Sequence, residues 1–222
     1  MRLRDKRVLE DNFIQMNHKA IFFYLGLFIF PLSGLAFLNI LYSTYFDYFL
    51  SIDSYTVTFF LALITGSFFC YYGKNSIKKI NFYEQLLLII LVYVISSIFI
   101  ALPYYLSNYQ ITFFDSVFES FSGITSTGFS IFENIKYLDP TLILWRSSSQ
   151  WIGGLYFLIF LIIIFSNNQY NFRLNHLVFT GNMGSFSKSN TKNILLQIFL
   201  VYSLLTLLIL IILSIGNVRL FN

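Results

Sequence analysis

Thr125, Ser126, Thr127 and Gly128 lie in a Gly/Ser/Thr run, residues 123–130, that directly follows a short apolar stretch. An extended backbone of such residues can present successive carbonyl oxygens to a cation in place of its hydration shell. Gly128 can adopt φ > 0, which lets consecutive carbonyls point the same way. The hydroxyls of Thr125, Ser126 and Thr127 can satisfy neighbouring backbone groups. The chemistry implied is coordination of a cation by the main chain. The alternative is a polar loop that only turns the chain.

The stretch before the run, about 113–121, is too short to cross a bilayer, which takes roughly 20 residues of helix. A short helix and small polar residues at membrane depth are tolerated only where protein buries them or where they line a water-filled cavity. The segment therefore reads as re-entrant. Thr112 is the expected N-cap, with Asp115 three residues on as an acidic variant of the capping box. The helix is expected to end near Ser122. Its partially negative end then points toward the membrane centre, where it favours a cation.

The flanks set that depth. The chain is 57% hydrophobic and 11% charged over 222 residues, against about 25% charged in globular domains. Its mean hydropathy is +0.70. These values exclude a soluble surface and imply an all-α polytopic membrane protein with about five transmembrane helices plus one re-entrant helix and loop. The five runs long enough to span are about 20–42, 55–72, 83–102, 142–165 and 194–216. Pro31 is expected to kink the first, Pro103 to end the third, and Pro140 to lie just before the fourth. The opening MRLRDKR resembles the charged region of a signal peptide. The apolar run after it is longer than an h-region and no clear small-x-small cleavage site follows, so it reads as a retained span.

Under this topology Arg2, Arg4, Lys6, Arg7, Lys19, Lys74, Lys78, Lys79, Arg173, Lys188 and Lys192 fall on one side. Only Lys136, Arg146 and Arg219 fall on the other. The positive-inside rule places the N-terminus in the cytoplasm and opens the re-entrant segment to the outside. Were residues 112–130 a full span, Arg173, Lys188 and Lys192 would move to the outer side. The pI of about 9.1 thus reflects membrane orientation, and no single basic stripe points to nucleic acid.

Three stretches carry a family resemblance: ALPYYLS at 101–107, FFDSVFESFSGITSTGFS at 113–130 and LWRSSSQWIGG at 144–154. In order and spacing they resemble the Trk/Ktr (TrkH-type) potassium uptake transporters, whose pore is built from four M1–pore loop–M2 units in one polypeptide. The resemblance implies an N-terminal helical pair with a basic tail over 1–80, a first complete unit over 81–166, a cytoplasmic link over 167–193, and the first helix of a second, incomplete unit over 194–222. It implies K⁺ uptake through a filter to which Thr125, Ser126, Thr127 and Gly128 contribute one quarter, mainly by backbone carbonyls, with potassium at Ser126 and Thr127. Passage would be downhill or ion-coupled (symport), with no cofactor beyond the transported ion. The chain is then expected to be a fragment of the full transporter, unable to close the pore without the remaining units. Further implied partners are the lipid bilayer, a cytosolic nucleotide-binding regulatory ring and a second copy of the complete transporter. The implied location is the bacterial inner (plasma) membrane. Two departures from the family pattern are Ser126, where Thr is common, and Leu155-Tyr156, where another glycine usually follows Gly153-Gly154.

Several further residues stand out. Asp115 and Glu119 are four apart on one helix face, where like charges destabilise an isolated helix. Arg146, at the outer end of the fourth span, is the expected partner that pairs with Glu119 and braces the short helix. The other reading leaves both in outer water. Trp145 reads as an interface anchor and Trp151 as packing against the short helix. Ser147, Ser148, Ser149, Gly153 and Gly154 allow close helix approach; alternatively the serines line the ion path. Leu174, Leu177 and Val178 could form a surface helix within 166–193. Cys70 is the single cysteine, which excludes an intramolecular disulfide, and His18 and His176 show no metal-ligand or triad spacing. The competing classes are a non-pore membrane assembly subunit and an intramembrane enzyme. The spans hold few ionisable groups beyond Glu84 and Arg146, so the expectation is not an enzyme.

Overall fold

The computed structural model describes residues 16–48, 52–75, 80–165 and 191–216, with the backbone only of residues 136, 165 and 191–194. The basic residues at positions 2, 4, 6, 7, 78, 79, 173, 188 and 219, His176, and the segment holding Leu174, Leu177 and Val178 lie outside the described residues.

The described chain forms helices α1 (His18–Tyr45), α2 (Ile52–Gly73), α3 (Phe82–Tyr105), α4 (Phe113–Ile124), α5 (Pro140–Phe165) and α6 (Thr191–Ile215), with a 3₁₀ turn at Ile135–Tyr137 before α5. No strand occurs among the described residues. Five of the helices are long and apolar enough to cross a membrane. Their ends fall within three residues of the runs expected from hydropathy. Helix α4 has 12 residues and is about 18 Å long, well short of a hydrocarbon core about 30 Å thick. The protein is thus an all-α, multi-pass membrane protein, with one α-helix among the described residues too short to span.

Two prolines depart from expectation. Pro103 does not end α3, which runs on to Tyr105. It falls in the last turn, so its missing N–H withdraws one intrahelical donor, that to the Phe99 carbonyl, and leaves the rest of the helix intact. The helix then closes with Leu106 N–H on the Leu102 carbonyl (2.9 Å) and the Ser107 hydroxyl on the Tyr104 carbonyl (2.6 Å). Pro140 lies inside α5 as its first residue, where a missing N–H is harmless because the first amides have no intrahelical partner. Asp139 caps that end by accepting from the Thr141 amide (3.1 Å). Pro31 sits within an unbroken α1.

Helices α1 and α2 form a close hairpin. A Cβ on Gly26 would come within 2.7 Å of the Gly66 carbonyl and 2.8 Å of the Cys70 sulfur. Small residues let the two backbones approach, as dispersion packing in lipid requires. The Cys70 thiol lies in this seam and points to the Phe23 carbonyl (3.6 Å).

The starts of α1 and α3 are tied together by one side chain that sequence reading left unassigned. Glu84 is 3% exposed. One of its oxygens accepts from the Asn81 amide, the N-cap of its own helix (2.6 Å), and the other from the Asn17 amide, the N-cap of α1 (2.5 Å). A carboxylate at two helix N-termini is favoured by both dipoles. Replacing Glu84 with Ala is expected to cost about 2–3 kcal/mol, because two charge-assisted hydrogen bonds are lost and two amides are left without an acceptor. The check is the thermal unfolding midpoint of the purified chain. Glu84→Gln, which keeps one acceptor oxygen, is expected to fall between Glu84→Ala and the unsubstituted chain.

Helices α3 and α5 run antiparallel. Trp145, near the start of α5, donates its indole N–H to the Ile100 carbonyl near the end of α3 (3.0 Å), while the Tyr93 and Phe160 rings meet further along both helices (5.9 Å). Trp145 is therefore not an interface anchor. It is 1% exposed and packs against Tyr55 of α2 (5.7 Å between centroids), because its polar edge finds a buried carbonyl. Trp151 turns to α6, where its ring meets Tyr202 (5.3 Å) and Phe199 (6.2 Å). Phe28 of α1 packs on Tyr156 and Phe160 of α5, and the Tyr156 hydroxyl donates to the Phe28 carbonyl.

Candidate ion-pathway site

Helix α4 starts where α3 ends. The Thr112 hydroxyl oxygen accepts from the Asp115 amide (3.2 Å) and its proton goes to the Asp115 carboxylate (2.6 Å), so the cap forms at the expected residues. Phe113 meets Tyr105 of α3 (5.9 Å). From there α4 descends along α5, ending at Ile124 rather than Ser122.

Contacts with α5 show the path of the chain. A Cβ on Gly153 would overlap the Ile124 carbonyl, so the end of α4 rests on the bare backbone of α5 at that point. Gly153 lies about 20 Å along α5 from Pro140, roughly mid-membrane. The next contacts climb back. The Ser126 hydroxyl reaches the Gln150 carbonyl (3.3 Å), and Arg146 meets Gly128, Phe129 and Ser130. At the top the Asp139 amide donates to the Tyr109 hydroxyl, on the loop where the descent began (2.8 Å). Residues 109–139 therefore go down beside α5 and return to the same end of it.

The bend has a definite chemistry. The Ser126 amide bonds to the Gly123 carbonyl (2.9 Å) and the Thr127 amide to the Ser122 carbonyl (3.0 Å). This is the Schellman pattern, with Ser126 at the left-handed C′ position (φ +55°). A non-glycine residue there costs roughly 1–2 kcal/mol. Gly128 also has positive φ (+85°). The three amides of residues 126, 127 and 128 all point back at α4. Among the described residues, no donor bonds to the carbonyls of Thr125, Ser126 or Thr127, and residues 125–129 are exposed. The Thr125 hydroxyl is taken up locally by the Phe121 carbonyl and the Thr127 hydroxyl (both 2.6 Å). What the loop presents outward is thus main-chain oxygen at the negative end of a helix.

The structure brings Glu119 and Arg146 together as an ion pair. Glu119 is 1% and Arg146 7% exposed. The Glu119 carboxylate also accepts from the Ile131 amide (2.9 Å) and the Ser130 hydroxyl (3.2 Å). The other arm of the Arg146 guanidinium donates to the Gly128 and Phe129 carbonyls (3.2 Å each). One side chain therefore ties α5, on which it sits, to α4 and to the returning segment. Asp115, one turn earlier, is exposed, so the two carboxylates occupy different environments. Of the small residues on α5, Ser149 and Gly153 lie against the end of α4, whereas Gly154 faces the Tyr202 hydroxyl of α6. The Ser147 and Ser148 hydroxyls bond to carbonyls one turn back, those of Ile143 and Leu144.

Fold and site together define a class: a multi-pass membrane protein in which a half-depth helix and an outward-facing carbonyl loop are held between two spanning helices. No protein-family model matches the chain. Its curated relatives are Trk-type proteins and a further cation transporter. It is 28% identical over 162 residues to an uncharacterized cation transporter of Methanocaldococcus jannaschii, covering 69% of this chain and 34% of that protein. It is 30% identical over 112 residues to the Trk system potassium uptake protein TrkH of Escherichia coli, covering 50% of this chain and 23% of that protein. With the Trk system potassium uptake protein TrkI of Halomonas elongata the identity is 40% over 73 residues, covering 33% of this chain and 15% of that protein. The matched part thus spans between 15% and 34% of the length of each of these relatives.

Proposed function

We propose that this chain contributes to potassium uptake across a membrane, supplying one unit of a carbonyl-lined ion pathway. The observation that carries this reading is the row of carbonyls at Thr125, Ser126 and Thr127, free of donors among the described residues and exposed at the mid-depth end of α4. Such oxygens can replace the hydration shell of K⁺, and the helix terminus adds negative potential. In this reading potassium sits at Ser126 and Thr127. Gly128 serves through its positive φ, which turns the chain, while its own carbonyl is held by Arg146. The relatives' names support the same ion: TrkH and TrkI are potassium uptake proteins. Glu119 and Arg146 brace the loop against α5.

A single loop surrounds an ion on one side only, so the remaining coordination comes from further pore units on the same or another polypeptide. A cytosolic nucleotide-binding ring and dimerisation of the complete transporter are part of the proposal by resemblance, as is placement in a bacterial inner membrane. The charge distribution supports a cytoplasmic N-terminus, with the loop opening to the outside.

The test is a complementation assay in the complete transporter that contains this unit. Gly128→Val imposes a β-branched side chain at φ +85°, a region closed to such residues. It is expected to reduce K⁺-limited growth of an uptake-deficient strain to the level of the empty vector, at unchanged protein abundance. Full rescue by that variant would count against the assignment.

A further inference from the structure

At the opposite end of the molecule from the loop, the beginning of α1 and the end of α2 enclose a pocket of about 490 Å³ lined by Lys19, Phe68, Tyr71, Tyr72, Lys74 and Asn75. We propose that this pocket binds the phosphate headgroup of an anionic phospholipid.

The pocket exists because of one glycine. A Cβ on Gly73 would collide with the Lys19 carbonyl and with Phe23. Without it, the last residue of α2 rests on the first turn of α1, which brings Lys74 beside Lys19. Both lysines are exposed, and neither is in an ion pair among the described residues. None of the lining residues is acidic. Among the described residues, the carboxylate at this end of the bundle, Glu84, is buried and already engaged by two amides. Two ammonium groups facing one concavity repel each other, and an anion between them reverses the sign of that interaction. The other polar groups there, the tyrosine hydroxyls and the Asn75 amide, can donate to phosphate oxygens.

The remaining lining selects a lipid over a free anion. Phe68 is 61% and Tyr71 80% exposed, and Phe68 lies about one turn from Tyr72 on the membrane-spanning face of α2. The Tyr72 ring is set against Phe22 of α1 at 90° (5.7 Å). The pocket is thus cationic at its membrane-surface end and aromatic toward the hydrocarbon, matching a phosphate with acyl chains attached. Tyrosine at this level is typical of the membrane–water interface, and basic pockets between spanning helices hold lipid headgroups. The site requires only that α1 and α2 span the membrane. It does not depend on the ion pathway proposed above.

The experiment uses the full chain purified in detergent, mixed with equal amounts of phosphatidylglycerol and phosphatidylcholine, with retained lipid counted by native mass spectrometry. The unsubstituted chain is expected to retain phosphatidylglycerol preferentially. Lys19→Gln/Lys74→Gln is expected to lose that preference by roughly thirtyfold, the scale set by two lysines near an anionic surface, and Lys19→Arg/Lys74→Arg to keep it. Equal retention of the two lipids by the unsubstituted chain, or an undiminished preference in the glutamine variant, would overturn the proposal. Displacement of phosphatidylglycerol by inorganic phosphate at matched ionic strength would instead assign a free-anion site and also overturn it. A readout without substitutions guards against a misfolded variant: phosphatidylglycerol should raise the unfolding midpoint of the unsubstituted chain more than phosphatidylcholine does, and identical midpoints would contradict the site.

Discussion

Gly153→Ala is expected to dislodge the short helix, whereas Gly154→Ala, one position on, is expected to be much milder. The contrast follows from what each new methyl group would meet. At Gly153 it would overlap the Ile124 carbonyl, a main-chain atom at the end of a helix. That atom cannot swing aside, because the neighbouring carbonyls and amides form the closing turn through Ser122, Gly123, Ser126 and Thr127. Relief requires moving α4 as a body away from α5. Overpacking of this kind costs about 1–3 kcal/mol and sometimes more, and it displaces Thr125, Ser126 and Thr127 from their mid-depth position. At Gly154 the nearest atom is the Tyr202 hydroxyl, the far end of a side chain, which can give way at the cost of its hydrogen bond to the Trp151 carbonyl (3.0 Å). In the complete transporter proposed above, the expected outcome is loss of K⁺ uptake and a lowered unfolding midpoint for Gly153→Ala, with both much less affected for Gly154→Ala. Equal effects at the two positions would show that α4 is not seated on Gly153.

Arg146→Met is expected to be the most destabilising single change in the charged network. It removes the partner of a carboxylate that is 1% exposed, and breaking a buried pair from one side costs about 3–5 kcal/mol. It also removes the donors to the Gly128 and Phe129 carbonyls, freeing the returning segment. Arg146→Lys keeps the charge but lacks the planar fork that reaches Glu119 and two carbonyls together, so it is expected to recover only part of the loss. Adding Glu119→Gln to Arg146→Met should restore a share of the stability, since the buried charge is then gone. A double-mutant cycle on the unfolding free energy measures this coupling, expected to exceed about 1 kcal/mol for residues in one network. Additive single effects would mean that the two side chains act independently.

Much of this arrangement is legible in the sequence, for identifiable reasons. The five spans follow from apolar length, which the bilayer thickness converts directly into helices. The short helix follows from the same rule failing at 113–121, and its start follows from Thr112 and Asp115, whose partnership is local. Glu119 and Arg146 could be proposed as partners because a charge on a membrane helix needs one and topology left few choices. The features that escaped depend on partners distant in sequence or on backbone conformation. Glu84 reads as an ordinary end-of-helix acid until Asn17, 67 residues earlier, is found on its other oxygen. Trp145 has the amphipathic profile of an interface residue, and only the Ile100 carbonyl makes its burial affordable. Trp151 faces α6 because the short helix ends against Gly153, on another side of α5. The left-handed Ser126 leaves no trace in composition, since glycine is the usual residue at that position. Pro140 opens α5 because the first amides of a helix have no intrahelical partner, and Pro103 stays inside α3 because it withdraws only one bond from a helix that ends two residues later.

The central claim is that the chain enters the membrane after α3 and leaves it before α5 on the same side. Cysteine labelling in sealed, oriented vesicles addresses it directly. With Cys70 replaced by Ala, single cysteines are placed by Asn108→Cys before the descent, Asn134→Cys after the return and Asn75→Cys beyond α2, all at exposed positions. A membrane-impermeant maleimide should label positions 108 and 134 from one side and position 75 from the other. Labelling of 108 and 134 from opposite sides would make residues 113–130 part of a crossing segment and contradict the account.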